Sequence, residues 1–239
     1  MIDNIRNTVL AVINKNSYGY IPPNDFNVII KMVQLGIYRD IKSRYNDIIL
    51  RQVTRKSGSD NANELKILED TLAIFKVNEL LTASSGSTFD FPTSTEYDYT
   101  NKLWYKNEDD KYIEIEVVDR GRVNMLLNST TLSVSKTFPI CVINSSDITV
   151  YPTTIIGDVY LEYYRTPKPP KWTYVSLSGG EPIFDSTASD YQDIELPLQY
   201  EEEIIMGVLA MCGISIREYE IYKMTNTEKQ FEYYNKMQQ

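Results

Sequence analysis

Apolar side chains at Ile2, Ile5, Val9, Val12 and Ile13 recur at helical spacing and predict a helix over residues 2–14. The run 18–23, with two prolines, breaks it. Phe26, Ile30, Val33, Ile37, Ile41, Tyr45 and Ile48 then return every three or four positions, so one face of a long helix runs to about Lys56, with Asn24 or Asp25 placed to cap it. The polar stretch 57–63 marks a change of texture, beyond which strands are expected to dominate after a short helix at 64–69. Residues 111–117 alternate, with Ile113, Ile115 and Val117 on one face and Tyr112, Glu114 and Glu116 on the other. Residues 147–152 and 158–165 repeat the alternation and, separated by a short region containing Gly157, read as a hairpin. A short helix is expected at 119–128 and a long surface loop at 176–190.

The helical pattern returns near the end. Glu201, Glu202 and Glu203 complement the positive end of a helix whose apolar body runs from Ile204 to Cys212, with Gly213 interrupting it. A last helix is expected from about 215 to 237. The order gives an α+β fold in which an N-terminal helical segment (1–63) and a C-terminal one (196–239) pack together around a strand-rich inserted domain (64–195).

Composition narrows the chemistry. The 239 residues are 42% hydrophobic and 24% charged, an ordinary globular balance, but none is histidine. The side chain best suited to proton transfer near neutral pH, also the commonest metal ligand, is thereby absent. Cys141 and Cys212 each sit in an apolar stretch without paired spacing, and are expected to be buried and reduced. No nucleotide-binding glycine motif occurs. Glu114 and Glu116 share a strand face, as an acid/base pair for sugar hydrolysis would, although a solvated strand face needs the same pattern. The Asn128 and Asn144 acceptor patterns are read as chance, since the N-terminus has no secretion signal. The longest apolar run, 204–214, is short of the roughly 20 residues that cross a membrane. A soluble protein made in a cytoplasm is expected, with no catalytic residues, metal ligands or cofactor.

Charge and aromatic placement are more informative. Arg39, Lys42, Arg44, Arg51, Arg55 and Lys56 crowd the second helix, while the whole chain carries a formal charge of -9. Arg44, Arg51 and Arg55 share one sector beside the apolar stripe, which suits an acidic protein partner or a neighbouring copy better than nucleic acid. An ordinary solvated helix face accounts for the same charges. Tyrosine occurs 19 times, as expected of surfaces that are wet alone and covered in an assembly, or of AT-rich codons. Tyr219, Tyr222, Phe231, Tyr233 and Tyr234 mark the C-terminal helix as a docking element. The proline-rich run 165–172 is a stiff arm, with Trp172 anchoring it on something apolar and counted among the expected interface residues.

The ordered blocks 68–75, 89–92, 147–152, 159–172 and 194–218 resemble neck proteins of tailed bacteriophages, specifically the head-to-tail adaptor of short-tailed crAss-like phages. The resemblance implies a structural virion protein without turnover, located in the neck or tail. Its copies, usually twelve, would close a connector ring docked on the portal protein and touching other neck or tail proteins. DNA would pass through without sequence-specific binding, and no membrane would be involved. The acidic balance fits such a conduit, and ring closure requires two different patches on each subunit. The rival classes are a virion carbohydrate- or receptor-binding module, which predicts aromatics gathered on one β face, and an enzyme acting on host polysaccharide; another neck or tail structural role, such as a second ring or a stopper, lies close to the main reading.

Overall fold

The computed structural model describes residues 1–15, 20–54, 62–92, 96–130 and 133–215. Helix α1 (Ile2–Lys15) buries Ile2, Ile5, Val9 and Ile13, whereas Val12 falls outside the stripe and is exposed. Helix α2 (Pro23–Thr54) starts on Pro23, whose missing N–H is one the first turn leaves unpaired in any case. The Phe26 N–H closes that turn on the Pro22 carbonyl at 3.0 Å, so Asn24 and Asp25 lie inside the helix and do not cap it. The stripe from Phe26 to Ile48 is buried as its spacing requires, with Tyr45 half-buried. Helix α3 (Ala62–Ala73) packs on α2.

The chain divides into two compact units: Met1–Ile74 with Pro167–Gln239, and Phe75–Thr166. The α+β class and the packing of N- and C-terminal helices on each other are both present, but the inserted unit is shorter than 64–195. At its start, 64–74 continues as α3 on the helices. At its end, 167–195 is held to the helices by hydrogen bonds between side chains and backbone, a long-range choice that composition does not reveal.

The second unit contains an eight-stranded sheet. Its strands in chain order are β1 (Lys76–Leu80), β2 (Ala83–Ser85), β3 (Thr88–Asp90), β4 (Tyr97–Lys106), β5 (Tyr112–Val117), β6 (Ile140–Ile143), β7 (Asp147–Tyr151) and β8 (Val159–Arg165). They lie in the order β1-β8-β4-β5-β6-β7-β3-β2. Every pairing is antiparallel except β5–β6, whose parallel register needs a crossover, supplied by helix α4 (Arg120–Leu127). One face buries Phe89, Leu103, Tyr105, Ile115, Cys141, Ile148, Val150, Leu161 and Tyr163 in a single core.

The expected hairpin of 147–152 with 158–165 does not form. β7 pairs with β6 and β3, and β8 pairs with β1 and β4. The connection 152–158 is too long for a tight turn, and β8, buried at alternate residues, is inserted between two strands as an inner one. The expected surface loop at 176–190 holds a small hairpin of the helical unit, β9 (Tyr174–Ser176) with β10 (Pro182–Phe184). Helix α5 (Glu201–Ser215) begins with its three glutamates, as their charge favours, and packs on α1 and α2.

Candidate interface surfaces

The basic edge of α2 is only partly described. Arg39 is exposed and Lys42 half-buried. Arg44 reaches across to Glu203 of α5, with Nη2 3.8 Å from Oε1, so it fastens two helices of its own unit. Arg51 lies in the last turn of α2, and its side chain, like Arg55, Lys56, Tyr219, Tyr222, Phe231, Tyr233 and Tyr234, lies outside the described residues.

Trp172 requires a correction, since it is 2% exposed and belongs to the interior of its unit rather than to a surface between molecules. The Arg6 guanidinium lies 3.9 Å from the centroid of its ring, and among the described residues Arg6 Nε and Nη2 have no hydrogen-bond partner, so the ring face carries that interaction. The indole Nε1 donates to Asp3 Oδ1 at 2.9 Å. The backbone N–H of Trp172 donates to Asn27 Oδ1 at 2.8 Å, and its carbonyl accepts from Asn27 Nδ2 at 3.0 Å. Gln34 clamps the same arm, donating to the Lys168 carbonyl at 2.8 Å and accepting from the Glu195 N–H at 3.1 Å. The sequence calls for an apolar anchor here, and the anchor is intramolecular.

That anchor creates a surface the sequence reading missed. In the β9–β10 hairpin Val175 faces Ile183 and Tyr174 faces Phe184 across the strands. Tyr174 and Phe184 stack on Trp172, at centroid distances of 5.7 and 5.9 Å, which fixes the inner face. The period of two then sends Val175, Leu177 and Ile183 to the outer face, where they are 56%, 51% and 50% exposed. The turn is closed by the Gly180 N–H on the Leu177 carbonyl at 2.8 Å, with Gly180 at φ 85°, a conformation glycine adopts without steric cost. Residues 173–191 carry Glu181, Asp185 and Asp190 and no basic side chain. Hydrogen bonds from the Thr187 hydroxyl and N–H hold the Asp185 carboxyl below its usual range, and Asp190 pairs with Lys171. The Gly179–Gly180 pair between alternating apolar residues was the available signal.

The sheet unit presents a surface of opposite charge. Asp119 caps α4 by accepting the Gly121 N–H at 3.3 Å, which lays Val123 on Val118, Ile140 and Val142. Beside this cluster opens a cleft of about 250 Å³, lined by Arg120, Val123, Asn124, Val142, Asn144 and Tyr151 among others. Residues 120–146 carry Arg120, Arg122 and Lys136 and no acidic side chain. Lys136 pairs with Glu108 at 2.9 Å, while Arg120 and Arg122 are exposed. Asp147, just beyond, accepts hydrogen bonds from Asn144 and Ser146.

Glu114 and Glu116 are exposed on the sheet face opposite the core, and Glu114 lies 3.5 Å from Lys102. The same face carries Trp104, directly opposite both Glu114 and Tyr160, and the Tyr112 ring stands edge-on to Tyr160 at 6.0 Å. Both cysteines are buried and unbridged, and burial pushes the Cys141 thiol up to about 12 and that of Cys212 up to about 11. Among the described residues no group of acidic or cysteine side chains is placed to hold a metal ion, and no helix is long and apolar enough to cross a membrane. Compared with protein-family models and with curated proteins, the chain matches none of them.

Proposed function

We propose that the protein is a structural subunit of a tailed-phage virion, assembling into a head-to-tail connector ring below the portal and continuing the DNA channel to the tail without turning over a substrate. The observation that carries this reading is the β9–β10 hairpin, whose inner face is fixed on Trp172 while its outer face leaves Val175, Leu177 and Ile183 in water. A rigid arm ending in a contiguous apolar face suits a subunit completed by contact with another chain. The acidic balance of the chain favours a lumen through which DNA slides without adhering. Electron microscopy of the purified protein, alone and mixed with its cognate portal, tests the proposal. Rings coaxial with the portal channel are expected; monomers that leave the portal bare would overturn it.

A second reading has one specific observation behind it. Trp104, Tyr160 and Tyr112 gather on one sheet face beside Glu114, as the stacking platform of a carbohydrate-binding module would require. Glycan-array binding abolished by Trp104→Ala would move the assignment there.

A further inference from the structure

The hairpin and the α4 cleft are two different surfaces with complementary properties, and what joins them deepens the ring reading, on which this inference rests. We infer that the β9–β10 hairpin of one copy docks in the α4 cleft of the next copy, its apolar outer face covering the cleft and its acidic tip meeting Arg120 and Arg122. Charge selects this occupant. Within the hairpin, Glu181 and Asp185 have no basic neighbour in 173–191, Asp190 being paired with Lys171. At the cleft, Arg120 and Arg122 are exposed between Asp119, which caps α4, and Asp147, which accepts from Asn144 and Ser146; the chain as a whole is net acidic. An acidic protein meeting its own copies is repelled nearly everywhere, so a local basic surface directs the approach of the acidic arm.

Size points the same way. At about 250 Å³ the cleft falls below the roughly 300–1,000 Å³ of pockets that enclose small molecules, and it has room for one or two side chains against a mainly polar lining. Its walls combine Val123 and Val142 with the polar ends of Asn124, Asn144 and Tyr151, which gives an inserted strand both apolar contact and hydrogen-bonding groups. The hairpin is held in shape before contact by Trp172, so docking orders little new chain. Because hairpin and cleft are different patches, each subunit uses both, and the contact propagates head to tail until a rotation closes it.

Disulfide trapping tests the contact. Val175→Cys on the hairpin and Asn124→Cys at the cleft are both exposed substitutions, and the native thiols are buried and poorly ionised, so the introduced pair reacts first. Oxidised at a concentration where wild type assembles, a mixture of the two single variants should give a covalent dimer. The double variant should give a ladder of multimers. A double variant that bridges within one chain, or that gives no ladder while wild type assembles, overturns the contact and leaves the ring reading standing. Wild-type chains that remain monomeric at every concentration and in the presence of the portal overturn both.

Charge reversal supplies a second measurement. Glu181→Arg and Arg120→Glu should each weaken self-association on the order of tenfold, and together restore most of it, since the pair is reversed rather than removed. Equal weakening in the double reversal would overturn the pairing. Circular dichroism and thermal melting of each variant confirm that the fold is retained.

Discussion

Gly207 of α5 lies tightly against Val33 of α2, and replacing it by alanine separates two effects that normally hide each other. A Cβ at Gly207 would lie 2.7 Å from Val33 Cγ1 and 3.4 Å from Cγ2, well inside ordinary carbon contact. Val33 is buried and β-branched, with one strongly preferred helical rotamer, so the helices rather than the side chain must give way. Such overpacking costs about 1–3 kcal/mol, against a helix-propensity gain of about 1 kcal/mol for alanine over glycine. Gly36, in the middle of α2, has no atom within 4 Å of the corresponding position and should collect the propensity gain alone. Propensity cancels between the two substitutions, so Gly36→Ala should be more stable than Gly207→Ala by about 1–3 kcal/mol, the steric cost itself. Urea unfolding followed by Trp172 fluorescence measures it in a Trp104→Phe background, which leaves only the tryptophan of the helical unit. In a Val33→Ala background the clash disappears and Gly207→Ala should become stabilising. A Gly207→Ala midpoint raised as much as that of Gly36→Ala, with Val33 intact, would refute the close approach.

Three further outcomes follow from the same structure. Arg44→Ala should change stability by less than about 1 kcal/mol, because its ion pair with Glu203 is 3.8 Å long and partly exposed; thermal melting of Arg44→Ala beside Glu203→Gln checks this. Cys141 and Cys212 should resist a thiol reagent at pH 8 in the folded protein and both react in urea, since thiols raised to about 12 and about 11 hold little thiolate; label counting by mass spectrometry reads the difference. Burial works to raise the Asp193 carboxyl, but hydrogen bonds from the Ile2 and Ile194 N–H groups and the terminal ammonium outweigh it and hold the group below its usual value. Its stabilising contribution is therefore complete above the unfolded value of about 4 and disappears as pH falls through the lower folded one. The stability advantage of wild type over Asp193→Asn should shrink below about pH 4 in urea titrations.

The helices were legible because each buries one face: Ile2 to Ile13 and Phe26 to Ile48 announce themselves by spacing, and the three glutamates mark the start of α5. Strand existence was legible in the same way at 112–117 and 159–165, but strand partners were not. Alternation specifies which face of β8 is buried and says nothing about whether β7 or the distant β1 and β4 lie beside it. The β9–β10 hairpin was hidden by its serine, glycine and proline content, and the role of Trp172 depended on Arg6 and Asp3, more than 160 residues earlier. The α4 cleft had no sequence signal beyond the missing acidic residues between 120 and 146, because it is formed by a crossover helix against strands that pair across the chain.

The inserted sheet unit enters and leaves the chain at one place. β1 and β8 are antiparallel neighbours, with Lys76 opposite Tyr164 and the Arg165 N–H bonded to the Phe75 carbonyl at 2.9 Å. Paired residues of this kind have Cα atoms about 5 Å apart, a gap that a short turn can bridge. Residues 75–166 thus have the geometry of a cassette, one whose two ends a short linker could join while the chain of the helical unit stays continuous.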